Sequence, residues 1–555
     1  MGLLKKKKKK SGFGSKGTSS AGREQSPLRP RHAPKLQPCT NACPSGNDIR
    51  KFITAISQAE LLGKTSDQAY EEAWYTYTNT SPFPGVCGRV CPHPCEFECN
   101  RTKLDGGVGV NKIERAIGNF GIEKNLKLAV LSEEKRDKKI AVIGAGPSGL
   151  SCAYQLARRG YGVTVFESLE KPGGMLRWGI PRYRLPAEIL DKEIQKILDL
   201  GVELKLNSPV ELNDIKEEYD AVYIGIGAQT GLKLRVEGEE AENVYSGVDF
   251  LNRINHGEKP DIGDNVIVVG GGNTAIDAAR ISKRLGAVTT ILYRRTIKEM
   301  PAIEEEIEEA QNENIKLEYL AAPIGFVKEG NRIKEVNCIR MELGEPDSSG
   351  RRRPVPKEGS EFSIPATAVI AAISQAPDFS GFESLIEGKE WIKIDESGKT
   401  KLKNIYAGGD TVNLDIATTA IGHGRIAAET IDADLRGVQK EKEDKPPLIV
   451  ADKMRLDHYD KKDRIEPVSL SIEERMQDIE VEANLDLPAD KILEEAVRCM
   501  SCGQCFYCEK CWLFCQDSAV NKPGNKGELY TFKLENCTGC KKCAEECPCG
   551  FIDMV

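Results

Sequence analysis

The stretch KKIAVIGAGPSGLSCAYQLARRGYGVTVFES, residues 138–168, does most to restrict what this chain can fold into. An apolar run leads into a glycine turn, then a helical pattern, then a second apolar run. Gly144, Gly146 and Gly149 form a G-x-G-x-x-G. The first permits a tight turn, the second lets a pyrophosphate approach the backbone, and the third lets helix and strand pack closely. The helix then points its positive end at the phosphates. Glu167 closes the second run 23 residues after Gly144, where an acid binds ribose hydroxyls. Three glycines alone would be weak evidence. Flanked by strand, helix and acid, they specify a Rossmann-like βαβ unit.

The pattern recurs at DNVIVVGGGNTAIDAARISKRLGAVTTILYRR, residues 264–295. Gly270, Gly272 and Ala275 supply G-x-G-x-x-A, and Gly271, Asn273 and Thr274 complete the turn. No acid ends this unit. Arg294 and Arg295 stand there instead. Two guanidinium groups suit a 2′-phosphate, so NADP(H) is favoured, with NAD(H) as the alternative. Further on, LKNIYAGGDTVN carries Gly409 and Asp410 after a short apolar strand, and TTAIGHGRIAAE opens a helix. Asp410 is positioned to bind a ribityl hydroxyl. Because this element follows the second glycine motif, the first nucleotide domain is split and the second is inserted within it.

Nineteen cysteines, with no export signal, point to a reducing compartment and to metal or redox work. Six of them fall in CMSCGQCFYCEKCWLFC, residues 499–515. Cys505, Cys508, Cys511 and Cys515 have the spacing C-x2-C-x2-C-x3-C. Cys537, Cys540, Cys543 and Cys547 repeat it, and Pro548 follows. Such a tandem is the ligand run of a ferredoxin with two [4Fe–4S] clusters, each run lending its fourth cysteine to the other cube. One cube then takes Cys505, Cys508, Cys511 and Cys547. The other takes Cys537, Cys540, Cys543 and Cys515. Zinc is the alternative, although its sites favour paired C-x2-C arms with a longer gap. Cys499, Cys502 and Cys549 are left over, with a competing frame through Cys499, Cys502 and Cys505 as a lesser reading.

A second group comprises Cys39 and Cys43 in CTNACP and Cys87, Cys91, Cys95 and Cys99 in CGRVCPHPCEFECN. Pro92 and Pro94 break any continuous helix there, so these thiols sit on turns able to wrap a cluster. Residues 49–77 between them read as amphipathic helix. Zinc is again the alternative. Cys152 and Cys338 are isolated and read as buried thiols.

Residues 1–36 hold eleven Lys and Arg against one acid, including six consecutive lysines from Lys5 to Lys10. The segment is too polar to fold alone and reads as a solvated tail or an arm for an acidic partner. No other basic cluster supports nucleic-acid binding. No apolar run reaches transmembrane length and no secretory h-region precedes the lysines, so a cytoplasmic location is expected.

The fold class expected is α/β. Two Rossmann-like nucleotide-binding domains, the NAD(P) domain inserted in a split FAD domain, stand between an N-terminal helical iron–sulfur domain and a C-terminal two-cluster ferredoxin module. The boundaries read as a basic flexible arm 1–38, a helical iron–sulfur domain 39–130, a first FAD-domain segment 131–255, an NAD(P)H-binding domain 256–394, a second FAD-domain segment 395–435, a linker 436–498 and the ferredoxin-like domain 499–555.

From Cys39 to about residue 435 the chain resembles the small subunit of bacterial glutamate synthase and the matching region of dihydropyrimidine dehydrogenase. The stretches that carry the likeness are CGRVCPHPCEFEC, GAGPSGL, PGGMLRWGIPRYRLP, GGGNTAIDAAR with YRR, and IYAGGD. The resemblance implies FAD at the first glycine turn, contacted by Glu167, Gly174, Met175, Arg184 and Asp410. It implies a nicotinamide cofactor at the second, held by Gly271 to Ala275 with Arg294 and Arg295. It also implies iron–sulfur clusters in the N-terminal domain, with Glu114 as a non-cysteine ligand. That family usually carries two more cysteines ahead of CTNACP, and here RHAPKLQP has none. One N-terminal cluster on Cys43, Cys91, Cys95 and Glu114 is therefore the safer reading, with Cys39, Cys87 and Cys99 as members of a second. The C-terminal stretch is similar to DsrL-type iron–sulfur flavoproteins, the partners of dissimilatory sulfite reductase. That likeness implies an NAD(P)H:acceptor oxidoreductase exchanging electrons with a protein partner, sulfite reductase first and a glutamate synthase-like complex second, with a homodimer open. No Ser-His-Asp or paired-carboxylate motif stands out among five histidines. Hydride transfer between cofactors needs proximity and orientation and no catalytic side chain.

Overall fold

The computed structural model describes residues 26–347, 350–386, 391–440 and 444–555. The lysine run lies outside them. The described residues divide into two compact units, one within 36–448 and 461–500, the other from 26–35 with 449–460 and 501–555. Among the described residues, no helix is long and apolar enough to cross a membrane.

The larger unit begins with a helical layer. Residues 49–77 are not one helix. Ile49–Ser57 and Ser66–Thr78 are separated by the short helix Ala59–Leu62, which ends on left-handed Gly63. Thr65 then restarts the chain through a capping box with Gln68. Pro84–Val90, Pro94–Phe97 and Val110–Glu123 complete the layer, and both proline-led helices are entered at the proline, whose missing N–H costs nothing there.

Two parallel sheets follow, their inner strands apolar because helices cover both faces. The first runs, in spatial order, Ile405–Ala407, Ala221–Ile224, Lys139–Ile143, Gly162–Phe166 and Glu203–Lys205. Its outermost strand, Ile405–Ala407, returns after the whole second sheet, so the insertion expected from the order of motifs is present. The second sheet runs Lys316–Tyr319, Val288–Tyr293, Asn265–Val269, Ala368–Ala371 and Val244–Ser246, again all parallel. Its edge strand Val244–Ser246 and the helix Gly247–Asn255 precede residue 256, so the second nucleotide fold starts earlier than the sequence boundary. An antiparallel sheet of Ala321–Glu329, Arg332–Pro346 and Arg352–Pro365 is appended to it. Nothing in the motif pattern announced these strands.

The 20-residue helix Ala417–Arg436 closes the first nucleotide fold and ends on left-handed Gly437. It lies against the helix Pro147–Ala157 at close quarters. A Cβ at Gly424 would come inside 3.0 Å of the Ser148 carbonyl oxygen, so only glycine lets the two helices approach.

In the smaller unit, Pro30–His32 pairs antiparallel with Ile552–Met554, placing Pro30 opposite Met554 and His32 opposite Ile552. Residues 30–32, read as part of the basic arm, thus lie in a strand. His32 stacks on Phe551, ring centroids 4.9 Å apart, and Ser26 hydrogen-bonds to Gly539. A long-range strand pairing of this kind has no local signature. The linker read over 436–498 is likewise divided, with 449–460 in the smaller unit and 461–498 in the larger.

Candidate functional site

The first glycine turn has the shape a dinucleotide needs. Gly144 adopts φ +99°, and a Cβ on Gly149 would fall inside 3.0 Å of the Gly144 carbonyl oxygen. Gly146 is different: its nearest neighbour to an added Cβ is Gly174 Cα at 3.9 Å, so its face is open. Glu167, buried at the end of the second strand, accepts the Ala145 N–H through Oε2 at 2.8 Å and the Leu169 N–H through Oε1 at 3.0 Å. Its carboxylate is thus fixed at the turn. Gly174 caps the short helix Met175–Trp178. Gly409 and Asp410 form a 3-10 turn ahead of the helix Ala417–Arg436. Burial pushes Asp410 up to about 6. The Gly409 N–H donates to Nδ1 of His423 at 3.1 Å. His423 escaped the sequence reading; its position one and a half turns into the helix after IYAGGD was the available signal. Arg184 donates through Nη1 to both Asp277 carboxylate oxygens, at 3.1 and 2.9 Å, in a buried pair.

At the second turn, Gly270 adopts φ +148°, Gly272 opens the helix Asn273–Arg284, and Ala275 is buried beneath it. Gly271 faces the Tyr293 ring closely enough to exclude a Cβ. Asn273 Oδ1 accepts the Ile303 N–H at 2.9 Å, and Thr274 lies beside Gly247. The two arginines part company. Arg294 is exposed, whereas Arg295 is buried, donating to Asp347 and to the Arg352 carbonyl, both at 2.7 Å. Arg351 adds its charge to the surroundings of Arg294.

In the helical layer, Cys43, Cys91, Cys95 and Glu114 act electrostatically on one another. Glu114 is buried and meets His93 Nε2 at 3.2 Å. Burial pushes the Cys91 thiol up to about 12, so a cationic centre is what would ionise this set. Cys87 is buried against Tyr77 within reach of Cys91 and Glu114. Cys39 and Cys99 are partly buried elsewhere on the same core.

The helix carrying Cys87 and leading to Cys91 is anchored by Glu193. Its carboxylate accepts the N–H groups of Gly85 at 2.6 Å and Val86 at 3.1 Å. Burial raises it to about 7 from the ordinary 4.5. A folded-state value above the unfolded one means the folded chain holds the extra proton, so its contribution is complete below pH 4.5 and is lost as pH rises towards 7. The loss is on the order of 3 kcal/mol. Urea denaturation of wild type and Glu193→Gln across pH 4.5 to 7.5 should show a decline in the former that is absent from the latter.

In the smaller unit the two cysteine runs fold alike. Glu509 and Lys541, both left-handed, introduce the short helices Lys510–Leu513 and Lys542–Glu545. Cys505, Cys508, Cys511 and Cys547 line one small cavity with Tyr530 and Phe551. Cys543 has Cys537, Cys515 and Cys540 as its charge neighbours. Each set mixes three thiols of one run with the last of the other. Cys549 Sγ lies 3.8 Å from Cys547 Sγ, and this contact, with the Phe551 N–H, lowers the Cys547 thiol while raising its partner. No three of the described His, Cys, Asp and Glu side chains converge on a single-ion site. Cys505, Cys508, Cys511 and Cys547 instead line a cavity, as the ligands of a four-iron cube must.

Residues 138–424 match the family described as pyridine nucleotide-disulphide oxidoreductase, a match spanning more than half of the chain. The chain belongs to that family. Residues 32–126 match dihydropyrimidine dehydrogenase domain II, 4Fe-4S cluster. Among curated relatives, NADPH-Fe(3+) oxidoreductase subunit beta of Geobacter sulfurreducens is 34% identical over 520 residues, covering 84% of this chain and 75% of that one. NADP(+)-dependent formate dehydrogenase subunit beta of Moorella thermoacetica is 39% identical over 432 residues, covering 72% and 60%. The glutamate synthase [NADPH] small chain of Escherichia coli K12 is 34% identical over 425 residues, covering 71% and 87%. As a pyridine nucleotide-disulphide oxidoreductase with an iron–sulfur domain, the protein is an NAD(P)H oxidoreductase that uses FAD and [4Fe–4S] clusters. The open face at Gly146, the fixed Glu167 and the gathered thiols fit those groups.

Proposed function

We propose that this chain transfers electrons between NADPH and a protein partner. One observation carries the reading: Cys547 lines a cavity with Cys505, Cys508 and Cys511, and Cys543 has Cys515 beside it with Cys537 and Cys540, in a chain that also holds two complete nucleotide turns. FAD, when bound, converts a two-electron donor into single electrons, and cubes carry those singly. The residues of this chain do the rest. Gly144, Gly146, Gly149, Glu167, Gly174, Met175, Gly409 and Asp410 position the flavin nucleotide. Gly270 to Ala275 position the nicotinamide nucleotide. Cys43, Cys91, Cys95 and Glu114 hold a cluster in the helical layer.

NADPH is preferred over NADH through Arg294, because Arg295 is already committed to Asp347. One charge-assisted contact to a phosphate contributes about 1.5–3 kcal/mol. Arg294→Ala should therefore raise KM for NADPH about tenfold or more, leaving KM for NADH and kcat little changed. Arg295→Ala should instead lower thermal stability. Equal KM shifts for both nucleotides in Arg294→Ala would remove the 2′-phosphate role.

The partner is dissimilatory sulfite reductase, a reading supported by the likeness of EEAVRCMSCGQC and CPCGFIDMV to DsrL-type proteins. A glutamate synthase-like complex is the second reading, favoured by the identity to the E. coli small chain. Anaerobic affinity purification of the tagged chain, with and without residues 1–36, separates them. Recovery of both sulfite reductase subunits is expected, and their loss on truncation would assign the arm to docking. Recovery of a glutamate synthase large subunit would overturn the first reading, and absence of NADPH-dependent reduction of a one-electron dye would overturn both.

A further inference from the structure

Cys43, Cys91, Cys95 and Glu114 make one complete ligand set in the helical layer. Two further thiols nearby are not alike. Cys87 lies inside the helix Pro84–Val90, with the Tyr77 hydroxyl as its side-chain partner. Cys99 sits past the end of Pro94–Phe97, and its sulfur accepts backbone N–H groups from Val108 and from Arg101, two residues on. The same two-residue N–H···S contact occurs at Cys91 from His93, at Cys505 from Tyr507 and at Cys537 from Gly539, at 3.3, 3.4 and 3.4 Å. It aims positive charge at sulfur, although at Cys99 burial outweighs it and raises the thiol. Cys99 is thus built like a ligand. Its charged neighbours include Glu96 and Arg101.

The segment beside Cys99 comes from far along the chain. Arg101 Nη1 donates to the Arg498 carbonyl oxygen at 2.6 Å. Arg498 is itself buried and donates to the carbonyl oxygens of Gly106 at 2.9 Å and Gly107 at 3.2 Å. Gly107 has its ideal Cβ position 3.6 Å from Cys99 Cβ. The same Cβ would fall inside 3.0 Å of the Glu96 carbonyl oxygen, so the loop leaves no room for a side chain there. The Arg498–Cys499 peptide is therefore pinned to the Cys99 loop. The helix Pro38–Ala42, which carries Cys39, packs on Pro94–Phe97, two residues before Cys99. Cys39, Cys99 and Cys499 are each partly buried on one core. The ferredoxin-type runs are complete without Cys499.

We propose that Cys499, together with Cys39 and Cys99, ligates a second [4Fe–4S] cluster of the helical layer. This inference rests on the reading that the helical layer carries iron–sulfur clusters, and the experiment separates the two.

The full chain, purified anaerobically, is assayed for iron, acid-labile sulfide and FAD. Four cubes predict about sixteen irons per FAD, and Cys499→Ala should lose about four while keeping its FAD. The dithionite-reduced variant should also lack one component of the wild-type EPR spectrum. Cys338→Ala, whose thiol lies in the appended antiparallel sheet, should retain all iron. About twelve irons in the wild type, or full iron in Cys499→Ala, would overturn the proposal. About eight would overturn it together with the helical-layer clusters on which it rests. Should Cys499→Ala fail to fold, Cys499→Ser decides. Serine offers an oxygen ligand, so altered EPR g-values are expected, and a spectrum identical to wild type would overturn the assignment.

Discussion

Gly149→Ala should yield a protein that loses its flavin and much of its stability, whereas Gly146→Ala should fold normally and bind flavin poorly. The two glycines stand three residues apart in one motif, but the space around them differs. At Gly149 an added Cβ would enter inside 3.0 Å of the Gly144 carbonyl oxygen and meet Val142 Cγ1 at 3.1 Å. The first of these neighbours is backbone, locked in the positive-φ turn, so it cannot move aside. The helix Pro147–Ala157 must lift off the strand Lys139–Ile143, and the helix Ala417–Arg436 packed on it must follow. Overpacking a core costs about 1–3 kcal/mol where side chains can adjust, and more is expected where backbone must move. At Gly146 the nearest atom is 3.9 Å away. The added methyl meets no protein there; it occupies the approach of the pyrophosphate. Thermal unfolding and flavin content, measured on both variants, check the contrast. A Gly149→Ala protein as stable and as yellow as wild type would mean that the helix does not need this close contact.

What could be read from the sequence was what depends on short spacing. The two glycine turns, the acid at Glu167 and the two cysteine runs each act within about thirty residues, so their residue types carry the signal. The insertion was legible as well, because IYAGGD follows the second turn and a strand must return to the first sheet. Pairings across long separations were not legible. Pro30–His32 joins Ile552–Met554 through backbone hydrogen bonds that any residues could make. Resemblance assigns Arg184 to the flavin. The structure shows its guanidinium on Asp277, a residue whose place on the inner face of a helix becomes meaningful only once the two folds are assembled. Arg294 and Arg295 look equivalent side by side. Their fates diverge because the appended sheet, unseen in the pattern, brings Asp347 to one of them.

Glu313→Ala should be the most damaging single carboxylate substitution in the second nucleotide fold. Glu313 is fully enclosed, and its Oε1 accepts from Arg280 Nη2 and Arg284 Nη2, each at 2.7 Å. Both arginines leave the inner face of the helix Asn273–Arg284 and are almost wholly buried. Arg284 also lies 3.7 Å over the Tyr183 ring, whose hydroxyl donates to Asp277 on that helix. Arg280 keeps a second acceptor in Glu306, whereas Arg284 has only Glu313 as a carboxylate partner among the described residues. Removing the carboxylate leaves a buried guanidinium without a counter-charge, a change that costs about 3–5 kcal/mol. Because Gly272 opens this same helix, a loosened far end should also weaken NADPH binding at the near one. Glu313→Gln keeps an acceptor and should lose less. The double variant Glu313→Leu with Arg284→Leu should recover most of the stability, since apolar groups of similar volume replace a buried ion pair at little cost. Denaturation midpoints of the four proteins would decide it. Failure of the double variant to recover would mean that Glu313 serves Arg280 and the closure of the helix Glu304–Asn312 more than it serves Arg284, and that the weight of the cluster sits at the Arg184–Asp277 end, where the two nucleotide folds meet.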